Sequence, residues 1–201
     1  NDPLLIIDLL TTNSTYKASA LVKECVKINS DRKLLTSKIQ SEAEELLLND
    51  RHNIPDFIIL FNKEWHIGVI GIVAARLLEK YNRPTALLGA SNNGLYRGSI
   101  RSNLNVDATQ ALDSCKCLLE SYGGHSAAAG FSIREENLKL FSTKMNMLAN
   151  KLREGKAIVN SIRPDSYLPF SSINNHFWEE LQKLAPFGIG NPKPIFWTRK
   201  C

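Results

Sequence analysis

At 201 residues, with 43% hydrophobic and 22% charged residues, the chain is long enough for one or two domains with a substantial core. No uninterrupted apolar stretch approaches the roughly 20 residues needed to cross a bilayer, and the N-terminal Asn-Asp-Pro-Leu-Leu lacks the basic segment of a secretory signal. A formal net charge of +5 fits an anionic partner, but an excess this small decides little alone.

The chain does not begin with Met, which suggests processing or excision from something longer. Cys25, Cys115, Cys117 and Cys201 lack the spacing of a disulfide framework, and Cys115-Lys-Cys117 has no second pair to complete a zinc site. Reduced thiols in a cytoplasmic protein are the expectation.

Residues 3–48 read as helical. Leu5, Leu9, Leu10, Ala18, Leu21, Val22, Cys25 and Val26 form one apolar stripe, and a second helix is expected from Asp31 to Leu48. Turn formers and a proline in Asn49–Pro55 end this helical connector, residues 1–50. Phe57–Phe61 is a short apolar run that reads as a buried strand. Gly68–Tyr81 follows as a helix stopped by Arg83-Pro84, and Thr85–Leu88 as a second strand.

Asn92-Asn93-Gly94 has type I′ turn chemistry, with Leu95–Ser102 as the returning strand. Asp107 is expected to cap a helix reaching Ser121, before a strand at Ala128–Ile133 and a helix from Glu135 to Leu152. The order β-α-β-β-α-β-α is that of an α/β domain with a mixed sheet flanked by helices, residues 51–153. Residues 154–166 resemble a linker, and Tyr167–Cys201 the start of an incomplete β module, so 154–201 form the third segment.

On an extended strand Arg97, Ser99 and Arg101 share a face. Two guanidinium groups flanking a hydroxyl suit a phosphate, with Gly98 letting its backbone approach; a solvent-facing polar strand explains the pattern equally. Tyr122-Gly-Gly-His-Ser-Ala-Ala-Ala-Gly-Phe131 sets His125 in bare backbone. Gly123 and Gly124 can present N–H groups to an anion, with His125 as a further donor; the alternative is a tight helix-to-strand connection.

Glu64–Gly71 leads into the helix of residues 68–81, where free N–H groups favour an anion and Trp65 and His66 could stack on a base. Core packing of Trp65 is the competing reading, and Arg76 reads either as a ligand contact or as a solvated helix residue. No carboxylate-rich or histidine cluster completes a metal site, and G-x-S-x-G is absent.

Five motifs together resemble the RecJ single-strand-specific exonucleases. They are Glu64–Leu77 with Arg83-Pro84, Gly98-Ser-Ile-Arg-Ser102, Gly123-Gly-His125 with Ala128-Ala-Gly-Phe131, Leu184–Phe196, and Asn29-Ser-Asp-Arg-Lys33. The first three match the DHH-associated domain, and Leu184–Phe196 the approach to an OB-fold domain. The resemblance implies 5′-to-3′ removal of nucleotides from single-stranded DNA in repair or recombination, with Mn²⁺ or Mg²⁺ held by a DHH domain that this sequence lacks. It implies no metal within these residues, and single-stranded DNA and a single-strand-binding protein as partners.

By resemblance, Ser99 and Arg101 hold substrate phosphate, and Gly123, Gly124 and catalytic His125 face the scissile phosphate. Arg97 comes from strand alternation alone, and Arg76 is a weaker candidate. Two rival readings are a DHH-type phosphodiesterase acting on short oligonucleotides or cyclic dinucleotides, and a non-catalytic module like the C-terminal domain of alanyl-tRNA synthetases. The Pro186–Pro192 tail argues against the first and Gly98–Ser102 against the second.

Overall fold

In the computed structural model, residues 3–49, 54–91, 94–103, 106–153, 163–188 and 190–199 are described. The Asn92-Asn93 pair of the expected turn, and residues 154–162 of the expected linker, lie outside them. The chain divides into two units, Asn1–Ile158 and Val159–Cys201.

The first unit begins with α1 (Pro3–Thr11) and α2 (Thr15–Asn49). The helical connector is therefore broken near Asn13, not between Val26 and Asp31. Asn29, Ser30 and Asp31 are exposed on a continuous 35-residue helix. Solvated polar residues weaken a helix by only fractions of a kcal/mol each, roughly 0.7 at most, so neighbouring turns carry it through.

Five strands form one mixed sheet: β1 (Ile58–Asn62), β2 (Thr85–Ala90), β3 (Leu95–Arg101), β4 (Leu119–His125) and β5 (Ala128–Arg134). Their spatial order is β1-β2-β3-β5-β4, with β1 and β2 parallel and the other pairs antiparallel. The crossover helix α3 (Ile70–Tyr81) links the parallel pair, starting two residues later than Gly68.

The helix expected from Asp107 to Ser121 is the main correction. Asp107 does cap it, accepting from the Thr109 and Gln110 N–H groups, but α4 ends at Ser114 (Ala108–Ser114). A short 3₁₀ turn, Lys116–Leu118, then feeds β4. The element order is consequently β-α-β-β-α-β-β-α, closed by α5 (Leu138–Arg153).

Each sheet face has its own core. On one, Ala86, Leu88, Tyr96, Ile100, Phe131 and Ile133 pack on α4 and α5. On the other, Leu87 meets Val73, Ala74 and Leu77 of α3, with Ile39 and Ala43 of α2 beyond. Burying each such aliphatic side chain stabilises by about 1.5–3 kcal/mol. This second layer reaches β3 and leaves β5 and β4 open on the same face.

Polar bonds fix α2 against α3 and the loop before it. The indole Nε1 of Trp65 donates to Glu42 Oε2 at 2.9 Å, Arg76 Nη1 to Gln40 Oε1 at 2.9 Å and Lys80 Nζ to Glu44 Oε2 at 2.6 Å. The Lys80 bond holds the Glu44 carboxyl below its ordinary value of 4.5, and the same bond raises Lys80 above 10.5.

A depressed carboxyl stabilises the fold above its unfolded pKa and loses that contribution as pH falls; a raised ammonium contributes below its unfolded pKa and loses it at high pH. The contact therefore supports the fold between these two limits. Glu44→Gln is expected to lower the melting temperature by roughly a degree at neutral pH and by less beyond either limit. A loss independent of pH in thermal scans would contradict this.

In the second unit β6 (Ser166–Tyr167) pairs in parallel with β7 (Phe196–Trp197), with α6 (Asn175–Gln182) between them. Tyr167 and Trp197 meet at 4.9 Å between ring centroids, and Phe177 and Phe196 at 5.6 Å. The Asn191 amide donates to the Leu184 and Pro186 carbonyls at 2.8 and 3.0 Å, closing the glycine-rich turn.

Candidate nucleic-acid interface

Register places the candidate residues in three rows across the sheet face that α3 covers at β2 and leaves open at β5 and β4. Leu87, Ser99, Gly130 and Gly123 lie side by side on β2, β3, β5 and β4. Gly89, Arg97, Ser132 and Ser121 form a second row, and Thr85, Arg101, Ala128 and His125 a third. Directly opposed residues share a face, so Arg101 and His125 flank a strip of small residues. With strands about 4.8 Å apart, two positions place them roughly 10 Å from each other.

A recess of about 560 Å³ lies over the first two rows, with Ile67, Gly68 and Ile70 on one side and Arg97, Gly98, Ser99, Ser121, Tyr122, Gly123, Gly130, Phe131 and Ser132 along its floor; Arg101 and His125, in the third row, lie outside its lining. The floor glycines divide by what their missing side chains would meet. A Cβ on Gly123 would have nothing within 4 Å, and one on Gly130 would have only the Gly98 carbonyl at 3.8 Å. Neither has a left-handed backbone. Packing does not demand glycine at either position.

Gly124 and Gly98 differ from them. Gly124 has φ 148°, and a Cβ would lie 2.5 Å from both the Ala128 carbonyl oxygen and Ala129 Cα. Gly98 faces the opposite side of the sheet, where a Cβ would come within 2.3 Å of the Phe131 ring. Its missing side chain makes room for Phe131, whose ring packs 4.9 Å from Phe141, while Gly98 itself still borders the recess.

Ser99 and Arg101 form a connected pair. Arg101 Nη1 donates to Ser99 Oγ at 2.9 Å and to the Ile100 carbonyl at 2.8 Å. Ser99 Oγ, already an acceptor, keeps its own proton for an external oxygen. Gly71 of α3 permits this arrangement, since a Cβ there would lie 2.9 Å from both Arg101 Nη2 and Ser99 Oγ. Among the described residues neither Arg97 nor Arg101 forms an ion pair. Two arginine charges without carboxylate partners beside hydroxyls and bare backbone suit an anion.

Gly123, Gly124 and His125 are strand residues, not the helix-to-strand turn expected of them; the chain reverses at Ser126-Ala127. That reversal is anchored by the Ser102 N–H to the Ala127 carbonyl at 2.9 Å and the Ala108 N–H to the Ser126 carbonyl at 2.8 Å. Buried Ser102 itself donates to the Val106 carbonyl. These bonds hold His125, an exposed residue, level with Arg101.

Arg76 does not join the group: exposed on α3, it turns to Gln40 of α2. Trp65 is 2% exposed and bonded to Glu42, leaving it no face for stacking. The sequence reading missed Gly130, Ser132 and Ser121 on the floor. Gly130 and Ser132 alternate with apolar Ala129, Phe131 and Ile133, and that alternation was the available signal.

Among the described residues no three histidine, cysteine, aspartate or glutamate side chains converge as a metal site. The groups around the floor are arginine, serine and backbone N–H, with the His125 imidazole at its edge, a set that suits an anion.

Residues 55–151 match the DHHA1 domain model, and residues 164–201 match the RecJ OB domain model. The single-stranded-DNA-specific exonuclease RecJ of Thermus thermophilus is 33% identical across 94% of this chain and 26% of its own length. Those of Bacillus subtilis and Escherichia coli are each 28% identical across 94% of the chain, and across 24% and 34% of their own lengths. The chain thus spans about a quarter to a third of the curated relatives it matches.

The crystal structure of the Thermus thermophilus RecJ in complex with Mg²⁺ superposes with a TM-score of 0.82 at 33% identity, covering 96% of this chain and 29% of that one. A Mn²⁺ complex of the same protein gives 0.83. Two ordered domain models, relatives along nearly the whole chain and a shared three-dimensional structure agree: the chain belongs to the RecJ family, in the part that carries its DHHA1 and OB domains.

Proposed function

We propose that this chain is the strand-positioning part of a 5′-to-3′ single-stranded-DNA-specific exonuclease. The sheet floor receives the sugar-phosphate backbone. Arg101 neutralises a non-bridging oxygen, Ser99 donates its hydroxyl proton to the same phosphate, and Arg97 meets the neighbouring one. Gly123 and Gly124 bring β4 backbone close to the strand, and His125 donates from the far side of the floor towards the scissile phosphate. Holding the phosphate in one geometry lowers the entropic part of the barrier, and fixed donors stabilise its charge.

The observation that supports this reading is the pair Gly123 and Gly130, glycines on the floor that neither φ nor packing requires. A metal of the kind present in the solved Mg²⁺ and Mn²⁺ complexes of the relative would supply the activated water, held by residues other than those described here. By itself the chain binds single strands weakly and does not hydrolyse them. A single-strand-binding protein is the further partner, and the cytoplasm, where Cys25, Cys115 and Cys117 stay as the free thiols seen here, is the compartment. No helix among the described residues is long and apolar enough to cross a membrane.

Binding to a labelled single strand over a range of salt concentrations tests the proposal. Phosphate contacts predict a linear log–log plot with a slope of about −0.7 per phosphate neutralised, and therefore about −1.4 or steeper for two. Affinity independent of salt would overturn the phosphate floor. Robust Mn²⁺-dependent degradation by the pure chain would overturn its catalytic dependence on other residues.

A further inference from the structure

A second recess, of about 460 Å³, adjoins the floor. It is lined by Ile28, Asp31, Arg32 and Leu35 of α2 and by His66, Gly68 and Val69, and Gly68 borders both recesses. The volume lies within the range of small-molecule sites, about 300–1,000 Å³. Its chemistry differs from that of the floor. Three aliphatic side chains and an imidazole supply apolar walls, while Asp31 and Arg32 supply an acceptor and a donor. A carboxylate would repel a phosphate, whereas a base edge presents both donors and acceptors.

His66 is held as a wall of this recess. The Gly68 N–H donates to its Nδ1 at 3.0 Å, which leaves Nε2 carrying the proton of a neutral ring. Glycine at 68 is what admits that ring, since a Cβ there would lie 2.9 Å from His66 Cε1. The facing wall is tied to the same loop, because Trp65, the residue before His66, bonds to Glu42 of α2. Both walls are therefore set before any ligand arrives.

We infer that this recess receives a nucleobase of the strand whose phosphates lie on the floor, with the His66 ring and the Ile28, Leu35 and Val69 side chains against the base. The inference rests on the phosphate-floor reading: a backbone running over the floor turns a base across Gly68 into the recess. Base contact then adds affinity without a fixed sequence, because every base offers a flat face.

Affinity for an ordinary single strand should be compared with affinity for an equally long, wholly abasic deoxyribose-phosphate strand, whose charge is the same. The 201-residue chain is expected to prefer the strand with bases by about tenfold. His66→Ala removes one wall and Ile28→Trp fills the recess from α2, so each should cut that preference severalfold and leave binding of the abasic strand unchanged. Melting temperatures verify that both variants fold, and Ile28→Trp keeps the test open should His66→Ala disturb its loop. Equal affinity for the two strands, or an undiminished preference in folded Ile28→Trp, overturns the base recess and leaves the floor standing. Failure to bind either strand overturns the floor, and the recess with it.

Discussion

Gly124→Ala is expected to unfold the β4–β5 hairpin, while Gly123→Ala and Gly130→Ala leave the fold intact and weaken single-strand binding. The first substitution forces a Cβ to within 2.5 Å of backbone atoms of Ala128 and Ala129, in a backbone at φ 148° that side chains rarely adopt. Backbone strain of about 1–3 kcal/mol and overpacking of about 1–3 kcal/mol combine to roughly 2–6 kcal/mol. That is a large share of the roughly 5–15 kcal/mol typical of a domain's total stability.

A Cβ at Gly123 meets open space and one at Gly130 only an ordinary contact with the Gly98 carbonyl, and alanine there even restricts the unfolded chain, so melting temperatures should stay within a few degrees of the parent's. Their methyl groups would stand where the backbone of a strand must pass. Severalfold weaker binding by folded Gly123→Ala and Gly130→Ala is the expected result. Parent-like binding by both would show that the floor's bareness serves no ligand.

Arg101→Ala should weaken binding of single strands by about ten- to a hundredfold, equally for all base compositions. A hydrogen bond to a charged group contributes about 1.5–3 kcal/mol, and losing the guanidinium also frees Ser99 Oγ from the bond that orients it. Phosphate carries little base information, so the loss should not depend on sequence. The salt slope should fall by about 0.7, the contribution of one neutralised phosphate. Arg76→Ala is the internal comparison: its guanidinium bonds to Gln40 of α2, and binding should not change. A folded Arg101→Ala protein with parent affinity and slope would remove Arg101 from the interface.

Much of this arrangement is legible in the residues before any coordinates. The alternation of Arg97, Ser99 and Arg101 against Tyr96, Gly98 and Ile100 marks one face of β3, and the burial along that strand follows it. The same alternation argues that Gly98 belongs to the other face. The strand pattern itself suggests backbone approach at Gly98, and its periodicity adds that the missing side chain faces the core. β4 was hidden for a different reason. Glu120 to His125 are all exposed at a sheet edge, with a register shift between Leu119 and Ser121 and two glycines. No apolar period exists there to be read, and Asp107 supplies a helix start without a matching stop.

The meeting of Arg101 with His125 could not be derived from either motif separately. It depends on β5 lying between β3 and β4, and on the register that puts Ala128 opposite both. The span of α2 was obscured by polarity at Asn29–Asp31, where an exposed helix face carries the same residues as a loop. The glycines of the floor needed coordinates most of all. Only the space around a missing Cβ separates Gly124, which the fold requires, from Gly123, which it does not.

The central claim is that the face formed by β3, β5 and β4 carries the phosphates of a single strand. Amide chemical-shift perturbation on titrating a short single-stranded oligonucleotide into the isotope-labelled chain tests it directly. The expected result is a contiguous set of shifted amides at Ser99, Arg101, Gly123, His125, Gly130 and Ser132, weakening as salt is raised. Strong perturbation elsewhere with these amides unmoved would contradict it.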